Sequence, residues 1–125
     1  MKKAKVDSAG KLKDAIKKLK HALTFEKKIS KDVFYLDGIA KSFEICLEYA
    51  WKHFELIATT HGLEVFSPRE AIKAAGQVGL IDNVQIWLEF LEDRNYAVHD
   101  YMGLSDKDYL ETIKSFYVEV TRLKI

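Results

Sequence analysis

This sequence predicts an all-α protein, and three observations carry that expectation. Apolar residues recur at intervals of three and four through most of the chain, the period of an amphipathic helix. No stretch alternates apolar with polar residues as a half-buried strand does. Residues that start and stop helices stand at the ends of the periodic stretches.

Leu12, Ile16, Leu19 and Leu23, with Ala15 and Ala22 beside them, mark a first helix. A longer pattern follows through Ile39, Phe43, Cys46, Leu47, Ala50, Trp51, Phe54, Ile57 and Ala58. It should stop at His61-Gly62, where glycine supplies a left-handed cap. Ser67-Pro68-Arg69-Glu70 is a start signal: Ser caps, Pro fits the first helical position, and Glu closes a capping box. This third helix should be short, since Gly76 and Gly79 interrupt it. Asp82 is placed to cap a fourth, with Val84, Trp87, Leu88 and Leu91 on its inner face. Met102-Gly103-Leu104 then breaks the chain, and Ser105 with Asp108 repeats the capping pattern. The last helix uses Tyr109, Ile113, Phe116, Tyr117, Val120 and Leu123. Four principal helices and one short extra one, joined by brief loops, imply an antiparallel up-and-down four-helix bundle. Ile86, Trp87, Phe90 and Leu91 surround more than half of the fourth helix, so a homodimer is expected to cover some of them.

At 125 residues the expectation is a single domain over 1–125, large enough for a core without metals or disulfides. Hydrophobic residues make up 48% and charged ones 31%, ordinary for a globular protein. The lone Cys46 excludes an internal disulfide. With no long apolar run and no charged-then-apolar leader, a cytoplasmic protein away from membranes is expected. The net charge of +1 is unevenly spread, with 11 lysines and a balance of +8 in residues 1–31. Such a face suits RNA or an acidic partner, or simply water around a lysine-rich helix.

Arg94-Asn95-Tyr96-Ala97-Val98-His99-Asp100-Tyr101 is the most telling segment, with a permanent cation, an imidazole and a phenol within eight residues. Its context is specific as well. Ser42-Phe43-Glu44…Leu47-Glu48-Tyr49-Ala50-Trp51-Lys52 resembles the second helix of the HEPN superfamily. Ser67 to Ile72 with Gly79-Leu80-Ile81, and Trp87 to Asn95 with His99-Asp100-Tyr101, match the same branch in the same order. The chain thus resembles the nucleotidyltransferase substrate-binding proteins over roughly residues 8–123.

That resemblance implies a helical-bundle homodimer encoded beside a minimal nucleotidyltransferase. Some relatives are metal-independent endoribonuclease toxins using the motif Arg and His, here Arg94 and His99. In certain pairs the partner adds AMP to the motif tyrosine, here Tyr101, and silences the toxin. Others are described as substrate-binding subunits without shown activity, so RNA and a nucleotide both stand as ligands. No cofactor is implied.

The chemistry fits those roles. RNA cleavage needs a base for the 2′-hydroxyl, a cation for the phosphorane and an acid for the leaving oxygen. Imidazole as a group titrates near neutral pH, so His99 suits proton transfer; Arg94 offers a planar fork for phosphate oxygens, and Asn95 is spaced to hold one ring nitrogen of His99. Five residues of ideal helix turn through about 140°, so Arg94 and His99 converge only if the helix ends between them or across a dimer seam. Plainer uses exist for each: a surface ion pair for Arg94, carbonyl capping for His99, packing for Tyr101. His21, His53 and His61 lack metal-ligand spacing. Trp51 and Trp87 read as core, and Cys46 as an inert buried thiol. Asp106-Lys107-Asp108 imitates transferase aspartates, but without a Gly-Ser phosphate loop it reads as helix capping.

Overall fold

The longest apolar pattern becomes the longest helix, and the others are arranged around it. In the computed structural model, which describes residues 7–98 and 104–125, the helices are α1 (Ser8–Leu23), α2 (Phe34–Thr60), α3 (Pro68–Gln77), α4 (Val84–Val98) and α5 (Asp106–Thr121). A single 3-10 turn, Glu26–Lys28, lies between α1 and α2. No strand occurs among the described residues. The 27 residues of α2 make a rod of about 40 Å. Helices α1, α3 and α5 all pack on it, while α4 lies between α3 and α5.

The helix ends follow the expected chemistry with one shift. Ser67 Oγ accepts the Glu70 N–H at 3.1 Å with Pro68 in the first turn. The Glu70 carboxylate returns to the Ser67 hydroxyl at 3.3 Å rather than to its backbone, so the box closes through the side chain. Ser105 Oγ accepts the Asp108 N–H at 3.1 Å, which makes Asp106 and Asp108 first-turn residues of α5. Helix α4 is capped by Asn83, whose Oδ1 accepts the Ile86 N–H at 3.0 Å. Asp82 was the expected cap. The helix starts one residue later than its acidic signal suggests, and Asn caps as well as Asp.

Two glycines have specific structural duties. Gly62 stands at φ +79°, and Leu63 N–H returns to Ala58 C=O at 3.0 Å, the left-handed stop foreseen for α2. Gly76 was expected to interrupt α3 but lies inside it. Its missing side chain is used for packing: a Cβ there would collide with Cγ2 of Val84. The start of α4 therefore sits directly against α3.

Aromatic rings tie the helices together. Trp87 of α4 meets Phe54 at 5.2 Å, Phe116 at 5.5 Å and Phe90 at 5.6 Å, all edge to face. Phe116 of α5 also meets Phe43 of α2 at 5.0 Å. Trp87 and Phe90 are only 1% and 2% exposed, so that part of the apolar girdle of α4 is covered within one chain. The reason is that α4 has two flanks to bury, one toward α3 and one toward α5. Only Ile86 and Leu91 of the four expected interface residues remain partly exposed. Cys46 is fully buried, and burial pushes its thiol up to about 12, as an inert thiol requires.

Apart from the Tyr109 hydroxyl, His53 is the one polar side chain buried among the described residues. Its Nδ1 lies 2.7 Å from Ser8 Oγ, joining the start of α1 to the middle of α2. Burial lowers its pKa below the ordinary value near 6.5. The native state therefore favours neutral imidazole, and the unfolded chain takes up the proton first as pH falls. Stability from this site is complete above about pH 6.5 and declines as acid is added toward the lower folded value. Urea titrations at pH 7.5 and 5.5 should show the loss, and His53→Gln should remove much of that difference while leaving the exposed histidines in place.

Candidate functional site

Helix α4 turns from scaffold to site along its own length. Arg94 stands seven residues beyond Trp87 and four beyond Phe90, so it continues the line of residues that face the core. At that level the core gives way to a cleft of about 770 Å³ between α2, the start of α3 and the end of α4. Leu47, Leu88 and Leu91 supply apolar lining, with Trp51, Arg69 and Arg94 among the residues that shape it. A guanidinium thus occupies a half-buried position where its helix otherwise carries rings.

Its hydrogen bonding is uncommon for such a place. Arg94 Nη1 donates to Asn95 Oδ1 at 3.2 Å, a neutral acceptor. None of the ion pairs among the described residues involves Arg94. Its neighbour Asp93 is engaged elsewhere, accepting Thr112 Oγ1–H of α5 at 2.6 Å. A partly desolvated cation held by an amide is well suited to an anionic ligand, because a half-buried charge gains most from a compact counter-charge.

Acidic groups frame the same opening. Glu44, Glu48 and Glu92 line it, and the Glu48 carboxylate lies 3.6 Å from Lys52 Nζ. Tyr109 sits close by, with a buried hydroxyl that has no hydrogen-bond partner among the described residues. Burial and the Glu44 charge hold that phenol well above its ordinary range, with Asp93 adding to them and Arg94 opposing. It is a neutral donor at any physiological pH.

Of the four residues singled out from the sequence, Arg94 and Asn95 lie together on the cleft wall. His99 and Tyr101 lie outside the described residues. The carbonyl oxygen of Asn95 serves Arg94, and its expected pairing with His99 falls outside the described residues. Trp51 was read as core, yet it is half-buried and lines the cleft, with Lys52 Nζ 5.9 Å from its ring. A clue was present: Trp51 stands between Glu48 and Lys52, at the charged edge of its apolar stripe. Arg69 carried no comparable signal, because it reaches the cleft through the tertiary packing of its helix; Tyr109 lies in a neighbouring pocket that shares Glu44 and Tyr96 with the cleft. Among the described residues no cluster of three metal-ligating side chains forms, and no helix is long and apolar enough to cross a membrane.

Searches of curated proteins and of solved structures give no match. The family model described as "nucleotidyltransferase substrate binding protein like" matches residues 8–125, a span that takes in every helix and the whole Arg94 cleft. With nearly the entire chain covered, the protein belongs to the nucleotidyltransferase substrate binding protein like family.

Proposed function

We propose that this chain is the HEPN component of a two-gene pair, a metal-independent endoribonuclease toxin partnered and silenced by a separate minimal nucleotidyltransferase. The observation that carries this reading is the half-buried Arg94, held by Asn95 and without a carboxylate partner among the described residues. In this reading Arg94 binds the phosphate to be cleaved. His99 removes the 2′-hydroxyl proton, the freed oxygen attacks phosphorus, and the departing 5′-oxygen takes up a proton. The products are a 2′,3′-cyclic phosphate and a 5′-hydroxyl end. One His99 per chain serves poorly as base and acid in a single step, so two copies across a two-fold seam suit the chemistry.

The protein in this reading is a homodimer of antiparallel four-helix bundles in the cytoplasm. Ile45 and Leu56 on α2, exposed by 40% and 41%, and Phe66 before α3, exposed by 78%, offer apolar surface for that seam. Light scattering at micromolar concentration should report two chains, and a monomer there would remove the shared site.

A second reading has its own support. The cleft of about 770 Å³ has room for a nucleotide, and Trp51 supplies an aromatic wall. A non-catalytic subunit that presents a substrate to the transferase would need no more than this. Cleavage assays separate the two. Arg94→Ala and His99→Ala should each lower RNA cleavage by about a hundredfold or more, since an electrostatic group aimed at a transition state contributes about 2.7–4 kcal/mol. Both variants should retain the wild-type circular dichroism, and cleavage should persist in EDTA. Wild-type protein that leaves RNA intact favours the substrate-presenting subunit.

Tyr101 is the proposed regulatory handle. Its phenolic oxygen would attack the α-phosphorus of ATP on the partner enzyme, releasing pyrophosphate and placing AMP two residues beyond His99. The added phosphate would compete for Arg94 and the adenosine would fill the cleft. Mass spectrometry after incubation with transferase and ATP should show one AMP on the Tyr101 peptide, absent in Tyr101→Phe. An unmodified peptide with a competent partner would rule out this switch.

A further inference from the structure

The basic end of the chain builds a second surface, on the other side of α2 from the Arg94 cleft. The segment from the end of α1 to the start of α2 carries Lys20, Lys27, Lys28 and Lys31, all exposed. Between them lies an apolar groove of about 300 Å³ lined by Ala22, Phe25, Phe34, Tyr35 and Ile39. Phe25 and Tyr35 stack at 5.8 Å with an interplanar angle of 15°. The Lys28 ammonium stands 5.4 Å from one ring and 5.7 Å from the other, which fixes its charge at the groove's rim. Phe34 is 72% exposed, more than any aromatic core position tolerates.

Of the nearby carboxylates two have partners, while Asp37 stands exposed in the first turn of α2. Glu26 is bound by Lys114 of α5 at 3.1 Å, and Asp32 accepts the Phe34 N–H at 3.0 Å. Lys20, Lys27, Lys28 and Lys31 take part in none of the ion pairs among the described residues. Surface ammonium groups beside an exposed ring and an apolar trough form the arrangement by which proteins hold unpaired nucleotides: phosphates on the lysines, a base on the ring.

We propose that this corner is a docking surface for single-stranded RNA, with Phe34 as the stacking platform and Lys27, Lys28 and Lys31 as phosphate contacts. The choice of RNA rests on the nuclease reading above; the surface itself is independent of Arg94. An acidic protein segment would also meet the charge. However, the open ring of Phe34 offers a flat face on which a base stacks, and an acidic segment would leave that face unused.

Fluorescence anisotropy with a labelled oligouridine 12-mer tests this on the full chain. The wild type should bind at low salt, and Phe34→Ala should weaken binding by about tenfold, the effect of losing one stacked base. The triple variant Lys27→Gln, Lys28→Gln, Lys31→Gln should flatten the salt dependence by about two units, since each phosphate contact on a single strand contributes about 0.7. Circular dichroism confirms that the exposed substitutions leave the fold intact. Unchanged binding by Phe34→Ala and by the triple variant would overturn the proposal, as would competition by polyglutamate as strong as that by the RNA. Binding that survives in a protein cleaving nothing preserves this surface and removes the nuclease; cleavage without Phe34-dependent binding does the reverse.

Discussion

The interlock of Phe116 with Trp87 is the contact on which the rest of the structure depends. Phe116 meets Phe43 of α2 and both Trp87 and Phe90 of α4, so one ring joins three helices that are distant in sequence. Each edge-to-face pair contributes about 0.5–1.5 kcal/mol beyond the burial of its area. Their larger effect is geometric. Rings packed at 70–89° to one another leave little freedom for α4 to rotate or slide. The rotation of α4 sets where Arg94 points, because that residue continues the same helical line by one more turn.

Placing a cation on that line has a cost and a use. A half-buried guanidinium gives up part of its hydration, and the Asn95 amide restores only one hydrogen bond among those described. The surrounding carboxylates of Glu44 and Glu92 stabilise the charge at longer range without neutralising it by contact. They also discourage loosely held anions. A phosphate that enters must therefore be positioned close to the guanidinium, which rewards a ligand of the right shape over one of merely the right charge.

What the sequence disclosed followed from local physics. Ser67, Pro68, Gly62 and Ser105 each act on backbone groups a few residues away, so their effects were readable without knowing the fold. Asn83 and Asp82 differ by one residue, and local rules do not separate two good caps in a row. Gly76 could be read as an interruption because its reason, the approach of Val84, comes from another helix. Trp51 was expected in the core and meets the cleft, while Trp87 and Phe90 of α4 are covered within the chain, and one cause lies behind both. Periodicity shows that a position is apolar, while tertiary packing decides whether a neighbour, a cleft or solvent receives it. Arg94 was found because it stands in a motif legible along the chain; Arg69 was missed because only the packing of α3 brings it to the cleft.

The charge asymmetry links the two surfaces. A surplus of +8 lies in residues 1–31, and the remainder of the chain is acidic. For a polyanion in solution the lysine-rich end is the attractive pole, and that pull extends over about 8 Å at physiological ionic strength. The Arg94 cleft, rimmed by Glu44, Glu48 and Glu92, exerts no such general attraction. In the proposed reading, capture and selection are thereby separated onto opposite sides of α2. Lysines, mobile and well hydrated, suit a weak and forgiving encounter; the planar arginine fork, held by an amide and backed by the aromatic interlock, suits a single exacting contact.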